Sequence, residues 1–191
     1  MTPTVASAGR NAPLIGFLWG LAESTVFFIV PDVGVAYIAL VTPGYWWKAA
    51  ATSVLGALVG AVLLFLAVQF WLHQEVRHLL TVLPGIHPAT LAAARSRISL
   101  HGPGALLGAA FSGIPYKVFA AELTLAGTSL PVLLAWTIPS RALRLFPVAA
   151  IAGLFGGILR PVIARNFRVF TAAYALAWAV FYGWYWSRPS L

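Results

Sequence analysis

The chain has 191 residues, of which 61% are hydrophobic and only 8% are charged, and its mean hydropathy is +0.89. Soluble domains are about 45–50% apolar and about 25% charged, so a water-soluble fold of this size would lack the charges to cover its surface. The net charge of +8 fits basic loops that meet anionic lipid headgroups, and nucleic-acid binding is not expected because no dense basic run is present.

The composition predicts an all-α, multi-pass integral membrane protein. Residues 1–12 are small and polar and predict a flexible N-terminal tail. The remainder, 13–188, is expected to form a single membrane domain. Within it, 73–101 is a polar connector in which two short amphipathic helices are predicted on the membrane surface.

The first apolar stretch, 14–47, is interrupted by Glu23 and Asp32. One straight helix over it would be about 51 Å long at 1.5 Å per residue, which exceeds the hydrocarbon core of about 30 Å. Pro31 removes a helical hydrogen bond near its centre. We therefore predict a re-entrant hairpin that turns near Pro31.

The hairpin also explains the two acids. Glu23 and Asp32 would face opposite sides of one continuous helix, whereas a turn between them lets both face one interior cavity. Charges at membrane depth are costly and usually serve transport or proton relay. The alternatives are that Asp32 lies at the interface and caps the next helix, and that Glu23 is purely structural.

Residues 49–72 carry no charge and predict the clearest transmembrane helix. Gly56 and Gly60 form a G-x-x-x-G face that permits close helix contact, and Gly153 and Gly157 repeat that spacing later in the chain. Such a face serves either internal packing or a homo-oligomer contact.

The loops give little sign of a metal or cofactor site. His73 and His78 are not at i, i+4 spacing, no His-Glu-x-x-His pattern occurs, and the chain has no cysteine. The positive-inside rule favours the cytoplasmic side for the basic residues of 73–101 and of 160–168, but the topology stays open, because the number of crossings between them depends on whether 102–140 turns back.

The second broken stretch, 102–140, contains Lys117 and Glu122, and Gly113 and Pro115 interrupt it. Its Phe-x-x-Ile-Pro sequence ending at Pro115 matches the Phe-x-x-Val-Pro sequence ending at Pro31. Interrupted apolar segments at matching places in two halves are typical of inverted-repeat transporters. A second re-entrant hairpin in an inverted repeat is therefore predicted.

Three basic residues near this break are candidate ligands. Lys117 either neutralises a carboxylate, holds an anionic substrate, or extends its long stem to the surface. Arg141 and Arg144 share a helix face at i, i+3 spacing. They either contact a lipid phosphate or mark the membrane interface.

Four sequence segments together resemble a known family. They are Gly20-Leu21-Ala22-Glu23, Phe27-Phe28-Ile29-Val30-Pro31-Asp32, Phe111-Ser112-Gly113-Ile114-Pro115-Tyr116-Lys117-Val118-Phe119 and Ser140-Arg141-Ala142-Leu143-Arg144-Leu145-Phe146. Over roughly 14–160 the chain is similar to the DedA family, also called SNARE-associated or VTT-domain proteins, and resembles most its short YqaA-type branch.

The resemblance implies an inner-membrane protein with two re-entrant hairpins that face each other. Bacterial members are linked to recycling of undecaprenyl phosphate, coupled to protons or sodium, and eukaryotic relatives act as phospholipid scramblases. Acidic residues of the first hairpin, here Glu23 and Asp32, are the expected functional groups. Many members carry arginines beside the second hairpin's proline, whereas this chain has Ser112 and Val118 there, with Lys117 as the nearby base.

The leading hypothesis is a non-enzymatic transporter or scramblase that moves a lipid or lipid phosphate between leaflets without a cofactor. Glu23 and Asp32 would exchange protons or hold a cation, and Lys117, helped by Arg141 and Arg144, would attract the phosphate. The alternatives are a small-solute or ion transporter, a non-transporting assembly factor and an intramembrane enzyme. The expected partners are membrane lipids.

Overall fold

The structure is a computed structural model that describes residues 3–71 and 75–187. Over those ranges the chain is helical, without strands, which confirms the all-α prediction. The helices are α1 (Pro3–Thr25), α2 (Pro31–Val41), α3 (Trp46–Phe70), α4 (Val76–Val82), α5 (Pro88–His101), α6 (Ala105–Ala109), α7 (Tyr116–Leu125), α8 (Leu130–Arg165) and α9 (Phe167–Ser187).

Helices α1 and α2 form a first hairpin, and its tip is the non-helical segment 26–30. Gly34 near the start of α2 lies against Trp19, and Gly9 of α1 lies beside Thr42 after the end of α2, so the two helices are antiparallel. Helix α2 begins at Pro31, because proline fits the first helical position, where no intrahelical N–H bond is needed.

Helix α3 packs parallel to α1 through glycine contacts. A Cβ on Gly56 would lie 2.0 Å from the carbonyl oxygen of Phe17, and one on Gly60 would lie 2.7 Å from the Cβ of Ser24. A Cβ on Gly20 of α1 would likewise lie 2.1 Å from the carbonyl oxygen of Ser53. The predicted G-x-x-x-G face on α3 therefore packs inside the chain.

Helices α6 and α7 form a second hairpin with its tip at 110–115. The Ser140 hydroxyl of α8 donates to the carbonyl of Leu106 in α6 at 2.6 Å. The hydroxyls of Tyr116, at the start of α7, and Thr137 are 2.6 Å apart. Because α7 is followed by a turn and then α8, it runs antiparallel to α8, in the way that α2 runs relative to α3.

The two halves of the helical bundle run in opposite directions. Asp32 at the start of α2 pairs with Arg144, and Leu40 near its end contacts Gly156, so α2 and α8 are parallel. Since α2 is antiparallel to α1 and α1 is parallel to α3, α3 and α8 are antiparallel. The two hairpins consequently approach each other from opposite ends, tip to tip.

Two helices in the described ranges are long and apolar enough to cross a membrane. They are the α3 region, Pro43–Phe70 with a mean hydropathy of 2.4, and α8, Leu130–Arg165 with 1.9. The connector contains two helices, α4 and α5, and their predicted place on the membrane surface stays a prediction; His73 lies outside the described residues.

Two predictions are wrong in detail. The tail predicted as flexible continues α1 from Pro3, and Ala12 is fully buried in the core; residues 1 and 2 are outside the described ranges. The predicted packing residue Gly157 makes no close helix contact, since a Cβ there would meet nothing within 4 Å. Its neighbour Gly156 makes the close contact instead, against Leu40 of α2.

The structure also bears on the positions of the two basic loops, which the sequence left open. Helix α3 leads into the connector at one end of the bundle, and the antiparallel α8 ends at Arg165 at the opposite end. The connector and the basic loop 160–168 therefore lie at opposite ends of the bundle. The chain turns at the tip of the second hairpin and again before α8, so α8 leads away from the end at which the connector lies.

Candidate functional site

A cavity of about 410 Å³ lies between the two hairpin tips. Four charged side chains line it: Glu23, Asp32, Lys117 and Arg144. Both acids predicted to share a cavity therefore do so, although they belong to different helices. This follows from the hairpin, since Glu23 ends α1 and Asp32 begins α2 on either side of the same tip.

The rest of the lining is largely apolar. The first tip contributes Phe28 and Val30, and the second contributes the predicted break residues Gly113 and Pro115. Gly113 has a φ of 73°, a left-handed conformation that glycine adopts without strain. The connector turn 83–86 and one face of α9 close the remaining sides.

Glu23 forms an ion pair with Arg141 of α8. Their side chains are 5% and 4% exposed, respectively, so the pair is fully buried. The Arg141 guanidinium carbon lies 4.2 Å from the centre of the Tyr116 ring, a cation–π arrangement. Within the described ranges Arg141 Nε has no hydrogen-bond partner. Burial excludes the alternative that Arg141 only marks an interface.

Asp32 pairs with Arg144 one helical turn further along α8. Arg144 Nε donates to both carboxylate oxygens, at 3.1 and 2.9 Å, and its terminal nitrogen lies 2.7 Å from Asp32 Oδ2. Asp32 makes no side-chain cap to α2. The side chains are 14% and 25% exposed, so this pair retains contact with the cavity and its solvent.

Lys117 lies at the start of α7 and is only 1% exposed, which excludes extension to the surface. Its ammonium donates a hydrogen bond to the carbonyl oxygen of Phe27 in the first tip. It forms no ion pair with any carboxylate in 3–71 or 75–187. An ammonium has three donors, so Lys117 keeps donors for a guest in the cavity it lines.

Sequence reasoning missed the contribution of α9. The Val30 N–H donates to the Tyr182 hydroxyl at 3.1 Å, and the Tyr174 hydroxyl donates to the Val33 carbonyl at 2.8 Å. Trp178, whose ring centre is 5.9 Å from that of Tyr182, continues this wall. The i, i+4 spacing of these aromatics indicates one helix face, but nothing in the sequence says that the face is turned toward the first tip.

The fourth conspicuous charge inside an apolar stretch, Glu122, is used elsewhere. Arg77 of α4 donates two hydrogen bonds of 2.9 Å to the two Glu122 carboxylate oxygens. This hydrogen bonding raises the pKa of Arg77 above its ordinary value. The pair fastens the connector to α7 but does not line the cavity.

No group of three or more His, Asp or Glu side chains in the described parts of the chain is placed to hold a metal ion. Comparisons of the chain with family models, with curated protein sequences and with solved structures found no match. The functional interpretation consequently depends on the residues and geometry described above.

Proposed function

We propose that this chain is a DedA-like protein of the inner (plasma) membrane that moves a lipid or lipid phosphate between leaflets, as a transporter or scramblase. In this proposal α3 and α8 cross the bilayer, and the two hairpins are re-entrant from opposite faces. The observation that carries the proposal is Lys117, a buried ammonium without a carboxylate partner, in a cavity between the hairpin tips.

The charge balance of the site favours an anion. Glu23 and Asp32 supply two negative charges, which Arg141 and Arg144 neutralise in direct ion pairs. Lys117 then leaves one positive charge in excess. A buried charge without a counter-charge in direct contact costs several kcal/mol, so an entering phosphate would supply the contact that Lys117 lacks.

The surroundings of the cavity favour a lipid. About 410 Å³ accommodates a headgroup or another small molecule, but not a long hydrocarbon chain as well. The outer side of α9 exposes Val169, Leu176 and Val180 at 69%, 65% and 63%. We therefore place the headgroup in the cavity and the hydrocarbon tail along the apolar exterior.

The two acids provide a route to proton or cation coupling. Protonation of Asp32 would release Arg144, and the site would then carry a second positive charge to attract the anion. Deprotonation would restore the ion pair and favour release. Asp32 suits this cycle better than Glu23, because its side chain is less buried.

A small-anion transporter is the second candidate, and the cavity volume favours it, since that volume falls in the range of sites that enclose a whole small ligand. The two candidates differ in whether a free phosphate is moved across the bilayer. Both transport activities can be measured with the same preparation of the protein.

The test is leaflet exchange in proteoliposomes made with the purified full-length chain. Labelled isoprenoid phosphate and labelled phospholipid are followed in parallel, with entrapped inorganic phosphate measured as a third cargo. Glu23→Gln and Asp32→Asn are the test variants. Glu75→Gln is the matched control, because Glu75 is exposed at the start of α4 and outside the cavity.

Lipid exchange that requires the protein, and that falls in both cavity variants but not in Glu75→Gln, would support the proposal. Movement of inorganic phosphate without lipid exchange would instead establish the small-anion transporter. No flux of any cargo by folded, inserted protein would contradict both and favour a non-transporting assembly factor.

A further inference from the structure

We infer that Lys117 is a latch between the two hairpin tips and that a phosphate group opens it. The identity of the anion rests on the proposed function, whereas the latch itself rests on one contact. Lys117 belongs to the second hairpin, and the carbonyl that it contacts, that of Phe27, belongs to the tip of the first. The bond thus joins the two elements between which a headgroup must pass.

The Phe27 carbonyl depends on this contact. It lies in the non-helical segment 26–30, beyond the end of α1, where carbonyl groups lack intrahelical partners. The Lys117 ammonium supplies a hydrogen-bond donor to this carbonyl in a partly buried position. The latch therefore provides a hydrogen bond to the Phe27 carbonyl on the first tip and a hydrogen-bond acceptor to the Lys117 ammonium of the second hairpin.

A phosphate oxygen competes directly for the same ammonium. Charge-assisted hydrogen bonds between ionised partners are shorter and stronger than those to a neutral carbonyl. Since Lys117 lines the cavity with donors to spare, an anion binds there first and then displaces the carbonyl. The Phe27 carbonyl then loses its partner, and the tips separate.

The structure also indicates which tip moves. The ion pairs Glu23–Arg141 and Asp32–Arg144 fasten both sides of the first tip to α8. The second tip, 110–115, has no ion pair among the residues described, although hydrogen bonds join Leu106 and Tyr116, on either side of it, to α8. Its Gly113 has a left-handed backbone with open space beside it. The second hairpin tip is accordingly the part that swings away when the latch opens.

The chain has no cysteine, so the tips can be labelled without background. Val26 and Phe111 are 69% and 75% exposed on the first and second tips, respectively. Spin labels on Val26→Cys and Phe111→Cys in full-length protein, in maltoside detergent micelles that contain no phosphate, report the distance between the tips by pulsed electron paramagnetic resonance. Dihexanoyl phosphatidic acid, inorganic phosphate and dihexanoylglycerol are added separately.

We expect one narrow distance distribution without additions and a shift to longer distances with dihexanoyl phosphatidic acid. Dihexanoylglycerol, which lacks the phosphate, should have no effect. Lys117→Met should show the longer distance with no addition and no further response. Lys48→Met, the same substitution at the chain's other lysine, should behave as the parent does.

The parental response requires no change at Lys117, so a misfolded variant does not decide the result. An unchanged distance in the parent at saturating dihexanoyl phosphatidic acid would overturn the latch, as would a parental distance in folded Lys117→Met. A shift with inorganic phosphate alone would keep the latch and identify free phosphate as its anion. A latch that responds in protein inactive in leaflet exchange would contradict the proposed function only.

Discussion

Glu23 and Arg141 are buried together, and each charge depends on the other. Both side chains are almost inaccessible, whereas Asp32 and Arg144 remain 14% and 25% exposed. Removing one member of a fully buried pair leaves an uncompensated charge, which costs about 3–5 kcal/mol. A partly exposed survivor recovers hydration, so the two pairs should respond differently to the same chemical change.

We predict that Glu23→Gln lowers the free energy of unfolding by about 3–5 kcal/mol and that Asp32→Asn lowers it by less. The double variant Glu23→Gln with Arg141→Met should recover much of the loss, because no charge is left buried. Thermal unfolding in detergent, followed by tryptophan fluorescence, measures all three. Equal losses in the two single variants would contradict the burial argument.

At the scale of elements, the fold depends on helices that approach closely at glycine. A Cβ on Gly156 of α8 would lie 2.5 Å from the Leu40 carbonyl oxygen in α2, and one on Gly157 would meet nothing within 4 Å. The two positions are adjacent and lie in the same helix. Alanine at each position in turn therefore distinguishes the effect of packing, which differs between the two sites, from the effect of helix propensity, which is the same at both.

Gly156→Ala should destabilise the protein by about 1–3 kcal/mol, the usual cost of overpacking. Gly157→Ala should be neutral or slightly stabilising, since alanine favours a helix by about 1 kcal/mol over glycine. The midpoint of thermal unfolding of the two variants tests this. A lower midpoint for Gly157→Ala than for Gly156→Ala would mean that the α2–α8 contact is wrong.

The glycines also illustrate what sequence reasoning reaches. The i, i+4 spacing correctly predicts Gly56 and Gly60 as a packing face. The same spacing from Gly153 predicts Gly157, whereas the structure uses Gly156, three residues from Gly153. Which one faces α2 is decided by the rotation of α8 in the bundle. Gly20 was noted only as part of a family segment, and its close contact with α3 was not predicted.

At the scale of the whole molecule, the opposite directions of the two halves set the sides of the loops. The connector follows α3 at one end, and the loop 160–168 follows α8 at the other. If α3 and α8 cross the membrane, these two basic regions face different compartments. The positive-inside rule favours a common side for both regions, but the sequence left open whether 102–140 turns back, and that turn decides the number of crossings between them.

The whole-molecule prediction concerns labelling with a membrane-impermeant maleimide. Ser96→Cys and Asn166→Cys each place one thiol at an exposed position, in the connector and after α8, respectively. In intact cells one of the two should react and the other should not, and inverted vesicles should give the opposite pattern. Reaction of both from the same side would refute the inverted arrangement.

The charged residues were found from sequence because a charge in an apolar run is conspicuous, and this holds for Glu23, Asp32 and Lys117. Their partners were not found. The sequence offered Lys117 as a neutraliser of carboxylates, whereas the arginines of α8 fill that role and Lys117 contacts a backbone carbonyl. Long-range pairing of this kind depends on helix rotation and depth, which residue spacing does not encode.

The most direct measurement is the rate of leaflet exchange of labelled isoprenoid phosphate for Lys117→Met and for Lys48→Met in proteoliposomes. A charge-assisted hydrogen bond contributes about 1.5–3 kcal/mol, and each 1.4 kcal/mol is about tenfold in rate. We therefore predict a fall of about tenfold or more for Lys117→Met alone. Exchange at the parental rate in Lys117→Met would contradict a role for the cavity ammonium in moving the anion.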